Sequence, residues 1–241
     1  MKLPLAFLLL MSAALCGALP HMLSNQNVVM VASAKPATPP PSYLLQENFE
    51  AAPGYDTAWS EITVTGTLNE DMSTAGLSLQ GSQCLRVEMA AQSGRAECTP
   101  FTSSGEVWLY FLFRPEVAAS STIMTIQDAS VLNLRMRFTS TGALQLVGVG
   151  SLTAPAPLPL NQTYHVWMHY KKGTGADAVG SLAWSTDGIR PDSGANFLGG
   201  TTGTFTNNAD RLAVAQVTSF TGTWNIDKIR VSSSEIGNNP P

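Results

Sequence analysis

Glu106–Phe113 reads EVWLYFLF, eight residues of which all but the first are apolar. A run so short and so continuous describes a strand buried on both faces, as in the middle of a sandwich sheet. The pattern on either side agrees. Leu132, Leu134, Met136 and Phe138 alternate with Asn133, Arg135, Arg137 and Thr139, the two-residue period of a strand with one apolar and one polar face. Thr141-Gly142 then turns the chain into Ala143–Val149, its hairpin partner. Tyr164–Tyr170 is a further strand, turned by Lys172-Gly173-Thr174-Gly175 into Val179–Thr186, which ends at Asp187-Gly188. Leu212–Val217 and Trp224–Val231 close the domain. No stretch of the chain after residue 35 carries a helical period. Roughly ten to fourteen short strands, punctuated by Gly, Pro, Asn and Asp, predict an all-β, antiparallel two-sheet sandwich.

The 241 residues are enough for one sizeable core. Only 12% are charged, about half of the ~25% usual for soluble domains. There is no basic stripe, which excludes nucleic acid as the expected partner. Lys2 followed by the apolar run Leu3–Leu19 reads as an export signal, too short and too poorly flanked for a membrane span. Ala32-Ser33-Ala34 is the best cleavage site, so residues 1–34 are expected to be removed and Lys35 to begin the mature chain. That loses one lysine and no acid, leaving a chain more acidic than the −4 of the full sequence. A lipid on Cys16 is disfavoured by the large Leu15 before it. KPATPPPS (35–42) is an extended linker, residues 43–232 are the domain, and 233–241 read as a frayed tail. The protein is expected outside the cell, with periplasm and cell surface left open.

Several segments resemble the concanavalin A-like lectin/glucanase superfamily, in particular its laminin-G-like jelly rolls. They are NFEAAPGYDTAW (48–59), EVWLYFLFRP (106–115), LNLRMRFTSTGALQL (132–146), YHVWMHYKKGTGADAVGSLAWSTDG (164–188) and WNIDKIRVS (224–232). The resemblance is one of strand and turn pattern and implies an antiparallel jelly roll with one concave sheet. Superfamily functions run from lectins and adhesion modules to glycanases, so fold alone does not decide activity.

Many glycanases of that superfamily carry two glutamates on one strand, spaced E-x-D-x-E or E-x-D-x-x-E. Alternate residues, or residues rephased by a bulge, then reach one glycosidic bond. Neither form occurs here. Glu47 and Glu50 fall on opposite faces of a regular strand, and Glu70-Asp71 lies in a loop. The superfamily's sugar-binding modules often join an acid of the first strand to one of the last around a structural Ca²⁺. Glu50 and Asp227 resemble that pair. Asp227 shares its phase with Ile229 and Val231 and so is expected on the core side, where a carboxylate needs a cation or hydrogen-bond donors. Both readings stay open.

His165 and His169 form H-x-x-x-H, but in a strand they are ~13 Å apart, which rules out a shared zinc. Cys84 and Cys98 flank Gln92-Ser93-Gly94. A hairpin turned there would bring them together as a disulfide in an oxidising compartment; two buried thiols are the alternative. Asn161-Gln162-Thr163 is a glycosylation sequon. Asn133, Arg135 and Arg137 share one strand face, and His165, Trp167 and His169 share another. If both lined one concave sheet, they would form a sugar-binding groove with an aromatic platform and planar donors. Trp167 reads equally well as a core residue. The sequence therefore favours a secreted carbohydrate-binding or adhesive module without catalytic activity, with polysaccharide or glycoconjugate as partner. A glycan-degrading enzyme of the same fold and a structural domain of an extracellular assembly are the alternatives.

Overall fold

A computed structural model describes residues 42–50, 59–69, 78–129, 131–148, 150–200 and 203–241. The export signal, its cleavage site, the linker up to residue 41 and Glu70-Asp71 lie outside these residues. The described chain is built from strands and one short 3₁₀ turn, Gly175–Asp177. The strands are β1 (Tyr43–Glu47), β2 (Trp59–Asn69), β3 (Leu85–Cys98), β4 (Glu106–Pro115), β5 (Ser121–Asp128), β6 (Val131–Phe138) and β7 (Leu144–Gly148). They continue as β8 (Gly150–Thr153), β9 (Tyr164–Lys171), β10 (Gly173–Thr174), β11 (Val179–Ser185), β12 (Phe197–Gly200), β13 (Thr204–Phe205) and β14 (Arg211–Ser232).

All pairings are antiparallel and the architecture is a jelly-roll-like sandwich. One layer runs β12-β11-β9-β4-β14, the other β14-β5-β6-β7-β8. The two stretches expected as separate closing strands, 212–217 and 224–231, are one strand, β14, which serves both layers. Its beginning pairs with β5 and its end with β4 and β1.

EVWLYFLF forms β4, near the centre of its layer, and is flanked by β9 and β14. Val107, Leu109, Phe111 and Phe113 point into the core, where they meet Leu134, Met136 and Phe138 of β6 and Val166 and Met168 of β9. Phe113 and Phe138 touch edge to face across the layers, centroids 6.0 Å apart. Each such side chain contributes roughly 1.5–3 kcal/mol by leaving water. The 141–142 turn forms as expected, with Gly142 at φ 84°, and it sets Phe138 against Leu144.

Two expectations fail here. Gln92-Ser93-Gly94 is not a turn: β3 runs through it, and the β14 register slips opposite it. Gly there marks an irregularity in a long strand. Cys84, just before β3, and Cys98, at its end, are therefore fourteen extended residues apart, ~46 Å of chain at strand rise. A disulfide needs Cα atoms within ~7 Å. Both cysteines are buried and free. The tail 233–241 is also not frayed. It lies against the outer face of the β4–β9–β11 layer, with Ile236 fully buried.

Candidate functional site

The outer face of β4, β9 and β11 is set by strand alternation. With the odd residues of β4 in the core, Trp108, Tyr110 and Leu112 face outward. With Tyr164, Val166, Met168 and Tyr170 inward, His165, Trp167 and His169 face outward. The registers place these in rows across the layer. Trp108 lies beside His169 and Ser181, Tyr110 beside Trp167, Ala183 and Phe197, and Leu112 beside His165 and Ser185.

One end of this face is open. The Trp108 and His169 rings stack with centroids 3.7 Å apart and planes 10° apart. Arg190, in the loop after β11, places its guanidinium 4.9 Å from the Trp108 centroid, a cation–π arrangement. His169 Nε2 is 2.8 Å from Glu106 Oε1. Burial pushes the His169 pKa down against the pull of Glu106, favouring the neutral ring at neutral pH. Trp108, Trp167, His169, Ser181, Arg190 and Phe197 line a cavity of about 160 Å³. A larger recess of about 400 Å³, by the 155–159 loop, has Trp184 in its wall, but that ring belongs to the core.

The other end is covered by the C-terminal segment. Ile236 packs with Tyr110, Leu112, Trp167 and Ala183. Trp167 Nε1 donates to the Gly237 carbonyl at 3.1 Å. Arg190 Nη1 donates to the Ile236 carbonyl at 3.3 Å, its side chain pairs with Glu235 and Asp192, and its backbone N–H donates to Asn238 Oδ1 at 2.8 Å. Beneath this segment the Tyr110 hydroxyl and His165 Nδ1 are hydrogen-bonded at 2.8 Å. Burial pushes the Tyr110 pKa up and the His165 pKa down, Lys228 adding to the latter.

The two predicted residue sets do not meet. His165, Trp167 and His169 lie on the outer face of one layer. Arg135 and Arg137 alternate with core residues Leu134, Met136 and Phe138, so they lie on the outer face of the other layer, across the core. Asn133 is buried there and donates Nδ2 to the Asn208 carbonyl at 2.9 Å. Among the described residues Arg137 reaches Ser120, at 3.4 Å. Trp167 is outward-facing as the groove reading requires, yet only 2% exposed, because the tail covers it. The two histidines of H-x-x-x-H have separate partners. Sequence reasoning missed Trp108, Tyr110, Arg190, Phe197 and the covering tail. Trp108 and Tyr110 lay in a run read as buried, and no periodicity marks Arg190.

The expectation that Asp227 points to the core is corrected by a bulge. Lys228 has φ 52°, and the β14–β4 register slips between Asp227 and Arg230. Trp224 and Ile226 before the slip, and Ile229 and Val231 after it, all reach the core, which turns Asp227 to the opposite side. It is still buried, and it accepts from Gln80 N at 2.7 Å and Lys228 N at 2.6 Å. Desolvation first, with Glu50 adding to it, raises its pKa from 3.8 to about 7. Glu50 takes Ser82 N at 2.9 Å and Ser82 Oγ at 2.6 Å. Gly81, at φ 71°, leaves space for it: a Cβ there would fall 2.1 Å from Glu50 Oε1. Gln83, whose N–H also points to Glu50, buries its Oε1 with no hydrogen-bond partner among the described residues. No cluster of three or more His, Cys, Asp or Glu side chains suited to a metal occurs among the described residues. Cys98 Sγ accepts from Leu212 N at 3.0 Å, and burial pushes both thiols up to about 12, so they are unreactive.

The sequence matches no protein-family model, and no curated protein matches it. Its structure is similar to solved ones. Against cellulose-induced protein Cip1 the TM-score is 0.54 at 16% identity, covering 80% of this chain and 99% of that one. Against the receptor-binding domain of botulinum neurotoxin type G it is 0.52 at 6% identity, covering 83% of this chain and 49% of that one. The serotype D binding domain gives 0.53 at 8%, with the same coverage. At these identities the similarity establishes the fold alone, an antiparallel jelly-roll-like β-sandwich.

Proposed function

We propose that this chain is a secreted carbohydrate-binding or adhesive module that holds glycan on the outer face of β4, β9 and β11. The carrying observation is the open cavity where Trp108, His169 and Phe197 present rings beside Arg190, Ser181 and Asp192. Sugars fit such a surface because their C–H faces pack on rings while their hydroxyls pair with fixed polar groups. The fold shared with cellulose-induced protein Cip1 and with a receptor-binding domain supports a binding module of this architecture. A structural Ca²⁺ belongs to the proposal. Glu50, Asp227 and Gln83 Oε1, which has no hydrogen-bond partner among the described residues, are oxygen donors of the hard type that cation takes, and a bound cation would offset the desolvation that chiefly raises Asp227 and the smaller contribution of Glu50.

The glycan-cleaving alternative draws on the Tyr110–His165 hydrogen bond, a pair through which a proton could pass. It lies beneath the C-terminal segment rather than in the open cavity. A glycan array probed with the exported protein, run beside an assay for newly released sugar ends, separates the readings. Binding without release is the expected result. Release would make the chain an enzyme, and neither signal would leave the structural alternative.

A further inference from the structure

Trp167 belongs to two environments at once. It lines the open cavity beside Trp108 and Phe197, and its Nε1 donates to the backbone of the covering segment. The aromatic surface therefore does not end where the cavity ends. It continues under residues 235–239 over Trp167 and Tyr110, whose rings lie 5.4 Å apart. We propose that the C-terminal segment is a displaceable strap, and that the glycan groove extends beneath it onto Trp167 and Tyr110. The proposal rests on the glycan-binding reading of the same face.

The way the segment is held favours displacement. After β14 ends at Ser232 it forms no strand with the layer it crosses. Ile236 and Pro240 are its buried residues and Arg230 Nε holds the Pro241 carbonyl at 2.8 Å, while Ser233, Ser234, Glu235, Gly237, Asn238 and Asn239 are exposed. Most of its remaining ties converge on one short loop. Arg190 takes the Ile236 carbonyl, the Glu235 carboxylate and, through its N–H, Asn238, while Asn239 N donates to the Gly188 carbonyl at 3.0 Å. Arg190 is also the cation above Trp108 at the cavity. A sugar that engages Arg190 from the open end therefore competes for the side chain that fastens the strap. The layer beneath would stay paired if the strap left, because its backbone hydrogen bonds are made between strands. Along β4, Trp108 to Leu112 spans ~13 Å, room for an extended neutral oligosaccharide rather than a single ring.

A closed strap lowers apparent affinity in proportion to the rarity of the open state. Loosening it should therefore tighten binding. Cellohexaose, xylohexaose and mannohexaose are titrated into full-length wild type, Ile236→Ser and Glu235→Ala, with backbone hydrogen exchange followed on residues 233–241. Glu235 is exposed, so its variant keeps the test alive if Ile236→Ser folds poorly. The expected result is affinity raised about fivefold to tenfold in Ile236→Ser, and less in Glu235→Ala. Exchange at 237–239 should also become faster in wild type when ligand is bound. Unchanged or weaker binding in both variants, with exchange unaltered or slowed by ligand, overturns the strap and makes the segment a fixed wall. No binding by wild type or either variant overturns the glycan reading, and the strap falls with it.

Discussion

Both sides of β9 carry buried residues, but with different partners, and on the outer side only Trp167 is fully covered, between half-buried His165 and His169. Tyr164, Val166, Met168 and Tyr170 meet the opposite layer, locked by two sheets. Trp167, between them, meets Ile236 and Gly237 of an irregular segment nine residues long. Burial alone would rank Trp167 with its inward-facing neighbours. The inner side is shielded by paired strands of the opposite layer, and the outer side by a segment proposed to be displaceable. On the proposed reading, that difference separates a core from a covered binding surface.

Truncation should show it first. Phe111→Ala, on the inner side of β4, should cost about 3–5 kcal/mol in denaturant unfolding, since the cavity it leaves is framed by both layers. Trp167→Ala removes a larger side chain yet should cost less, about 2 kcal/mol, because the strap can settle into the space. Equal losses would erase the distinction between the sides.

The acid pair at the end of β14 gives a pH test. The folded-state pKa of Asp227 is raised from 3.8 to about 7. Its contribution is therefore fully present below pH ~4 and lost as pH rises through ~7. Wild type should lose stability relative to Asp227→Asn over that window in metal-free buffer. Calcium should restore it in wild type only, as a higher melting midpoint that a chelator removes. A midpoint indifferent to chelator would leave the hydrogen bonds from Gln80 and Lys228 as the whole account of Asp227. The smallest effect belongs to the other layer. Arg135→Ala and Arg137→Ala should each shift stability by no more than about 0.5 kcal/mol and leave glycan binding unchanged.

The sandwich was legible because its signals are local. EVWLYFLF, the alternation of 132–138 and the turn at Gly142 each encode their own geometry. What the sequence hid depends on distance or on a single slipped residue. The bulge at Lys228 reverses the facing of Asp227 without altering the apolar pattern that suggested it. Gly94 reads as a turn but is an irregularity in β3, and that error alone produced the expected disulfide. Period two tells which residues share a face. It does not tell which layer a strand joins, so Arg135 and His169 could be set in one groove on paper while a core separates them. The strap offered no signal, since Ser, Gly, Asn and Pro describe a docked segment and a loose one alike.

The central claim is that glycan binds at the open end of the β4–β9–β11 face, on Trp108. Calorimetric titration of cellohexaose, xylohexaose and mannohexaose into wild type and Trp108→Ala, each confirmed folded by its melting curve, tests it most directly. The expected result is a loss of at least about tenfold in affinity, about 1.4 kcal/mol, for whichever oligosaccharide wild type binds. A folded Trp108→Ala protein that binds that sugar as tightly as wild type would place the site elsewhere on the molecule.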